Sequence, residues 1–371
     1  MRFNRNSAEQ LACLSEDTLD KSKKVLYMSH MAIGDYVYQG AFLKALAKKY
    51  PQLKIDLWID DCRSKKKSWH AGRNTIMNQW LSSESYINYV YSMPESRAEQ
   101  RQQIKAAWDK DYDVIVFVAK SRISDFASLA LKIANTGKVF GTNTGNVFDN
   151  ILNYSAYKKL DGKINIQNAS KNDHITDFYQ HIFQRFFGLQ VPIDQRILKL
   201  NISPSLIDQS EKKLSRLASK YQLEKPKTIF INHLSTTSKR DWRLDQLESL
   251  ALSINNNTPN SLIILNAPPH AFNMLNQWLE NNQKLHSVAI EVFTAKQDFF
   301  ELPALMSRCS LVISVETSIM HLASSLHIQQ IALIRESAFH WRPRNNSMVL
   351  VGKKRVDTIQ PETVLKTMRN L

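Results

Sequence analysis

The run Val114–Ala119, VIVFVA, has no polar residue and is rich in β-branched side chains. A strand that is apolar on both faces must be buried between two layers, as in a parallel sheet covered by helices. The rest of the chain repeats the theme. Lys24–Met28 is a short apolar run, and Asp35–Lys49 then carries Val37, Ala41, Phe42, Ala45 and Leu46 at helical spacing. Pro51 closes that helix, and Leu53–Ile59 alternates as a strand does. Tyr86–Tyr91 and Lys138–Gly141 read as further strands. Ile175–Gly188, with Phe178, Ile182, Phe183, Phe186 and Phe187 on one face, reads as an amphipathic helix that Gly188 ends. Val191-Pro192 and a polar stretch then mark a linker, after which the alternation restarts. Thr228–Asn232, Ser261–Asn266, Val288–Phe293, Leu311–Val315 and Gln330–Ile334 are strand-like, with helical segments between most of them.

With 371 residues the chain exceeds the ~250–300 at which one hydrophobic core stops growing, so two domains are expected. Two successive βα runs of similar length imply an α/β architecture of two Rossmann-like, doubly wound domains facing each other across a cleft. The expected boundaries are 1–192 and 193–355. Residues 356–371 form a last helix, for which a return onto the first domain is one placement. In such sheets ligands sit beyond the carboxyl ends of the strands, so the loops after strands are where chemistry is sought.

Composition narrows the class. At 43% hydrophobic and 22% charged residues the chain is globular, and no apolar run approaches the ~18 residues of a membrane span. The first twenty residues lack the continuous apolar stretch of a secretory signal. Cys13, Cys62 and Cys309 have neither metal-ligand spacing nor an even-numbered framework, which fits a reducing cytoplasm. A net charge of +15 implies an acidic partner: nucleic acid, an anionic membrane surface or a phosphorylated substrate. The basic runs carry no interleaved aromatics and no nucleic-acid-binding motif, which argues against the first.

Three post-strand loops could carry chemistry. Ser29-His30-Met31-Ala32-Ile33-Gly34-Asp35 places a carboxylate where a helix begins, a position that ordinary helix capping also explains. His233-Leu234-Ser235-Thr236-Thr237-Ser238-Lys239-Arg240-Asp241-Trp242 sets four hydroxyls before two cations, a fitting cradle for a diphosphate or simply a polar surface loop. Val315-Glu316-Thr317-Ser318-Ile319-Met320-His321 ends a buried strand in an acid and two hydroxyls and starts a helix. Its free N–H groups would suit a diphosphate, while a plain cap and a packed histidine are the bland alternative. Neither G-x-G-x-x-G nor a P-loop occurs.

Together these segments resemble a known family. MAIGDYVYQGAFLKALAKKYP resembles the opening of the bacterial lipopolysaccharide heptosyltransferases of glycosyltransferase family nine, STTSKRDW looks like their donor-phosphate loop, and VETSIMHLASSL is similar to their Asp-Thr-Gly-x-x-His-Leu helix start. The resemblance implies the GT-B fold, with an acceptor-binding first domain and a nucleotide-sugar-binding second one. It implies inversion at the anomeric carbon with ADP-heptose as donor, the lipopolysaccharide inner core as acceptor, and neither cofactor nor metal. By position, Asp35 would be the general base. Ser235, Thr236, Lys239, Arg240, Glu316, Thr317, Ser318 and His321 would meet the donor. Lys120 and Arg122, which follow VIVFVA, and Arg63 and Lys66 would meet the anionic acceptor. A cytoplasmic enzyme in peripheral contact with the inner membrane, and with no nucleic-acid partner, is the implied setting. Three positions depart from the family: Glu316 stands for the usual Asp, Ser318 for the usual Gly, and Ala271 for a Glu that in some relatives meets the ribose. A family-nine transferase of another donor or acceptor, and more remotely a basic nucleic-acid-binding protein, are the competing readings.

Overall fold

The parallel sheets expected from the apolar runs are present, one in each half of the chain. The computed structural model describes residues 12–59, 69–144, 151, 153–166, 174–344 and 346–371. The first sheet contains β1 (Lys24–Ser29), β2 (Lys54–Trp58), β3 (Ile87–Tyr91), β4 (Val114–Val118), β5 (Lys138–Asn143) and β6 (Gly162–Asn165). The second contains β7 (Lys227–Asn232), β8 (Ser261–Asn266), β9 (Ile290–Phe293), β10 (Leu311–Val315), β11 (Gln330–Arg335) and β12 (Ser347–Gly352). Strand order is β3-β2-β1-β4-β5-β6 in one and β12-β11-β10-β7-β8-β9 in the other. Every pairing is parallel. Both orders are that of the doubly wound dinucleotide-binding fold, reversing direction between β1 and β4 and between β7 and β10.

The strands that read most clearly are those sealed on both faces. Val114, Ile115, Val116 and Phe117 are all 0% exposed, with helices on either side of the sheet. On one side Ile123–Ile133 packs Ile123, Phe126, Ala127, Ala130 and Ile133 against Ile115 and Phe117. On the other, the aromatic stripe of Ile175–Phe187 closes the core: Phe183 stacks on Phe42 of helix Ile33–Lys49 at 5.1 Å and on Tyr27 of β1 at 5.7 Å. Gly188 ends that helix at φ 60°, as its lack of a Cβ allows. In the second unit the core gathers Ile229, Ile231, Ile263, Leu265 and Ile313 with Leu247, Leu250 and Ile254 of helix Leu244–Asn257.

The chain divides into compact units 1–198 and 199–371. The few residues past Pro192 stay with the first unit because they are bonded to it. Leu198 N–H donates to Val37 O at 2.8 Å, and Arg196 pairs with Asp177 at 2.8 Å. The last helix, Pro361–Met368, packs on helix Leu244–Asn257 of the second unit. Just before it, Ile359 O accepts the buried indole N–H of Trp242 at 2.9 Å.

Gly141 shows how little slack the first core has. It lies beside Phe117 in the β4–β5 register, and a Cβ built there would stand 1.9 Å from Phe117 Cζ. Gly141→Ala is expected to cost about 1–3 kcal/mol of stability by overpacking. Urea unfolding of the full chain reads this out, and an unchanged first-unit transition would contradict the packing described.

Candidate active site

The loops leaving β1 and β4 frame the reversal point of the first sheet, and Asp35, Lys120 and Arg122 come from those two loops. Helix Ile33–Lys49 begins after Ala32, so Asp35 occupies its first turn, where a carboxylate is favoured by the helix dipole. Its Oδ2 accepts the Ala32 N–H at 3.1 Å, the returning half of a capping box. Ala32, not Asp35, is therefore the N-cap, and Asp35 reaches back to it from the third helical position with one oxygen. Among the described residues Oδ1 accepts no hydrogen bond, and the side chain is 19% exposed. His30 Nε2 stands 3.9 Å from Oδ2.

Beneath Asp35 lies a buried polar layer. Tyr27 OH donates to Gln39 Oε1 at 2.8 Å, and Gln39 Nε2 donates to His30 O at 3.4 Å. Burial pushes the Tyr27 and Tyr179 phenols up, and the Asp35 charge adds to both shifts. Lys120 lies across the reversal point. Although the residue keeps contact with solvent, its ammonium lies over the Phe178 ring at 3.9 Å and near that of Tyr179 at 5.9 Å. Desolvation of the ammonium, the larger influence, holds its pKa down to about 8, with the charge of Asp35 acting in the opposite sense. Arg122, which caps the next helix, takes a left-handed backbone at φ 53° and ψ 36°. A non-glycine residue held there costs on the order of 1–3 kcal/mol. Arg63 and Lys66 lie outside the described residues.

The second unit repeats the arrangement at β7 and β10. The hydroxyl-and-cation loop follows β7 and is pinned at both ends, by Trp242 N–H to His233 O at 2.8 Å and by Val356 N–H to Lys239 O at 3.0 Å. Within it, Ser235 Oγ lies 2.7 Å from Asp241 Oδ1, so its hydroxyl is engaged inside the loop. Thr237 Oγ1 accepts Arg240 Nε at 3.1 Å and Thr236 Oγ1 accepts Arg240 Nη2 at 2.6 Å, which aims the guanidinium. Lys239 is exposed beside it. Asn232 joins the two strand ends: its Nδ2 reaches Ser314 Oγ at 3.3 Å and Thr317 Oγ1 at 3.1 Å, and its Oδ1 accepts from Asn266 at 2.8 Å.

Thr317 is the N-cap of helix Ser318–Ser325, accepting the Ile319 N–H at 3.2 Å, and Ser318 opens that helix. His321 is 6% exposed, with its ring edge-on to Trp341 at 5.7 Å. Glu316 is gripped by Arg335, a residue absent from the sequence-based set, through Nε at 2.9 Å and Nη2 at 2.7 Å. Arg240 Nη1 comes within 3.9 Å of the same carboxylate. Each unit thus gathers its own sequence-derived residues: a carboxylate near a lysine in the first, and oriented cations at a helix N-terminus in the second. Such a helix end and guanidinium together suit an anion. Among the described residues no group of three or more His, Cys, Asp or Glu side chains is placed to hold a metal ion.

Comparison with known proteins fits this arrangement. The model of glycosyltransferase family 9 (heptosyltransferase) matches residues 161–366. Among solved structures, a glycosyl transferase family 9 protein from Veillonella parvula is 17% identical with a TM-score of 0.71, covering 94% of this chain and 96% of its own. The E. coli ADP-heptose lipopolysaccharide heptosyltransferase II is 15% identical with a TM-score of 0.67, covering 94% and 98%. The E. coli heptosyltransferase WaaC determined with ADP is 16% identical with a TM-score of 0.62, covering 94% and 97%. At these identities the likeness shows the two-domain GT-B fold. No curated protein matches the sequence significantly.

His233, at the root of the hydroxyl loop, is 1% exposed, and among the described residues neither ring nitrogen has a hydrogen-bond partner. Burial lowers it from 6.5 to about 4. The folded protein therefore keeps it neutral where the unfolded chain binds a proton. Stability is unaffected above pH 6.5 and is lost as pH falls from 6.5 towards 4. At pH 5 the loss is about 2 kcal/mol. Urea unfolding at pH 7.5 and pH 5 should show His233→Phe relieved of that share of the acid sensitivity. Equal pH dependence in both proteins would refute the assignment.

Proposed function

Because the chain belongs to glycosyltransferase family 9, we propose that it transfers a heptose from ADP-heptose to the inner core of lipopolysaccharide with inversion, Asp35 acting as general base. The observation that carries the reading is the placement of the candidate groups. Asp35, with one oxygen open, sits at the reversal point of the first sheet, and Arg240, Glu316 and Thr317 sit at that of the second. A sugar hydroxyl is a poor nucleophile until its proton is taken. Asp35 Oδ1 accepts that proton as the hydroxyl oxygen forms its bond to the anomeric carbon and the bond from that carbon to the diphosphate oxygen breaks. The departing ADP carries the electron pair. Its growing charge meets Arg240, Lys239 and the N–H groups of helix Ser318–Ser325, all in place beforehand. The reading calls for no metal.

Lys120 and Arg122 supply positive charge on the acceptor side, suited to the phosphates and carboxylates of a lipopolysaccharide core. The net charge of +15 supports peripheral contact with an anionic membrane face, and among the described residues no helix is long and apolar enough to cross a membrane. A different donor sugar or nucleotide is the second reading, and a specific observation favours it. Ala271 is 4% exposed and offers no carboxylate to a ribose, while the Glu316 carboxylate is already held by Arg335.

Mass spectrometry of the product from ADP-heptose and purified core acceptor tests the reaction, with other nucleotide sugars run alongside. Asp35→Asn keeps an oxygen for the Ala32 N–H but removes the base, and is expected to lower kcat about 10²–10⁴-fold. Near-normal turnover by this folded variant would rule out the base assignment. Lys120 loses its charge as pH rises through about 8. The KM for an anionic acceptor should therefore climb, by up to about tenfold between pH 7 and pH 9, in the wild type but not in Lys120→Arg. A rise of the same size in both would remove Lys120 from acceptor binding.

A further inference from the structure

Arg335 ends β11, a strand whose preceding residues, Ile331–Ile334, are core. Its guanidinium forks onto Glu316, with Nε to Oε2 at 2.9 Å and Nη2 to Oε1 at 2.7 Å, and its backbone N–H adds a third bond to Oε2 at 3.3 Å. Arg240 stands 3.9 Å from Oε1. One carboxylate therefore serves two guanidiniums, and the cluster keeps net positive charge. The burial is graded. The Glu316 side chain is 10% exposed, against 24% for Arg335 and 26% for Arg240. The acid is inside and the cations are at the rim. Among the described residues Glu316 is the only group that the Arg335 guanidinium meets, so its remaining N–H groups are available to a ligand.

Strand order gives these groups a direction. Across the sheet the strands run β8, β7, β10, β11, so the loop of Arg240, then Glu316, then Arg335 follow in sequence. A nucleotide sugar whose diphosphate lies at the β7–β10 reversal has its nucleoside on one side and its sugar on the other. The β8 side is Ala267-Pro268-Pro269-His270-Ala271-Phe272, largely apolar and suited to a flat base. The β11 side presents Arg335 beside Glu336, with His340 and Trp341 further on, and suits a group rich in hydroxyl or carboxylate oxygens.

We propose that Arg335 is a donor-binding residue that contacts the glycosyl half of the nucleotide sugar, and that Glu316 is the positioning residue that aims it. Glu316, 10% exposed and already accepting three hydrogen bonds from Arg335, then acts on the sugar through Arg335. The inference rests on the reading of the second unit as a nucleotide-sugar site.

Calorimetric titration of the full chain with ADP and with ADP-heptose separates the possibilities. Arg335→Gln should weaken ADP-heptose about tenfold while changing ADP less than about twofold, the loss of a charge-assisted hydrogen bond to the sugar. Glu316→Gln should show the same selective loss with Arg335 still present, and Arg335→Lys should fall between. Glu316→Gln leaves the Arg335 guanidinium unpaired and Arg335→Gln leaves Glu316 to Arg240 alone, so the double variant E316Q/R335Q, which removes both partners, is run with thermal unfolding to show that the fold persists. It should show the selective loss too. Equal loss of both ligands in folded Arg335→Gln, or loss of neither, overturns the inference. Wild-type protein that binds neither these two ligands nor any other nucleotide sugar overturns the reading of the second unit as a nucleotide-sugar site, and this inference with it.

Discussion

The reversal of strand order between β1 and β4, and again between β7 and β10, is the constraint from which the candidate site follows. Parallel neighbours require crossover helices, and right-handed crossovers place those helices on opposite faces on the two sides of the reversal. The two loops that leave the flanking strands therefore diverge and leave an opening at the carboxyl edge. Lys120 and Arg122 lie in or at the end of such a loop and Asp35 in the helix turn that follows the other, while the second unit places Ser235 to Arg240, Glu316 and Thr317 in its loops and Ser318 at the helix start. Close packing of the strands keeps these loops in place, as the ring of Phe117 over Gly141 illustrates.

At both reversal points a structural bond and an available polar group belong to the same few residues. Asp35 gives one carboxylate oxygen to the N-terminus of its helix and keeps the other open. Thr317 caps its helix while Asn232 ties it to the next strand. Thr236 and Thr237 spend their hydroxyls on Arg240 and so fix a guanidinium that would otherwise roam. A side chain held in this way needs little reorganisation when a ligand or a developing charge arrives. The alternatives posed by the sequence, cap or catalyst, loop or cradle, are therefore not exclusive here.

Charge is handled by local pairing more than by the overall excess of cations. The Glu316 carboxylate between Arg335 and Arg240 neutralises one guanidinium and leaves the cluster positive, whereas desolvation disfavours the ammonium form of Lys120. Removing one partner of such an arrangement leaves a charge poorly solvated, so paired changes there are expected to cost less than single ones.

Most core strands were legible because sealing both faces demands an unbroken apolar run, and VIVFVA or LVISV can meet that demand in few other ways. The strands that sequence reading passed over, β6 and β12, are sheet edges. Gly162-Lys163-Ile164-Asn165 is half exposed, and β12 leaves Met348 and Val351 at the surface, so neither is forced into a recognisable pattern. Asp35, Arg240 and Glu316 were found by sequence because each sits just after a strand within a local motif. Arg335 was not, since its meaning comes from Glu316, nineteen residues away along the chain but just past the end of the neighbouring strand. The sequence by itself determined the α/β class, the two-unit organisation and the loops in which chemistry would lie, because these follow from local periodicity and chain length. Only the tertiary structure decided which oxygen of Asp35 stays open and which cations share Glu316, because hydrogen bonds between strand ends depend on pairing register that no local pattern encodes.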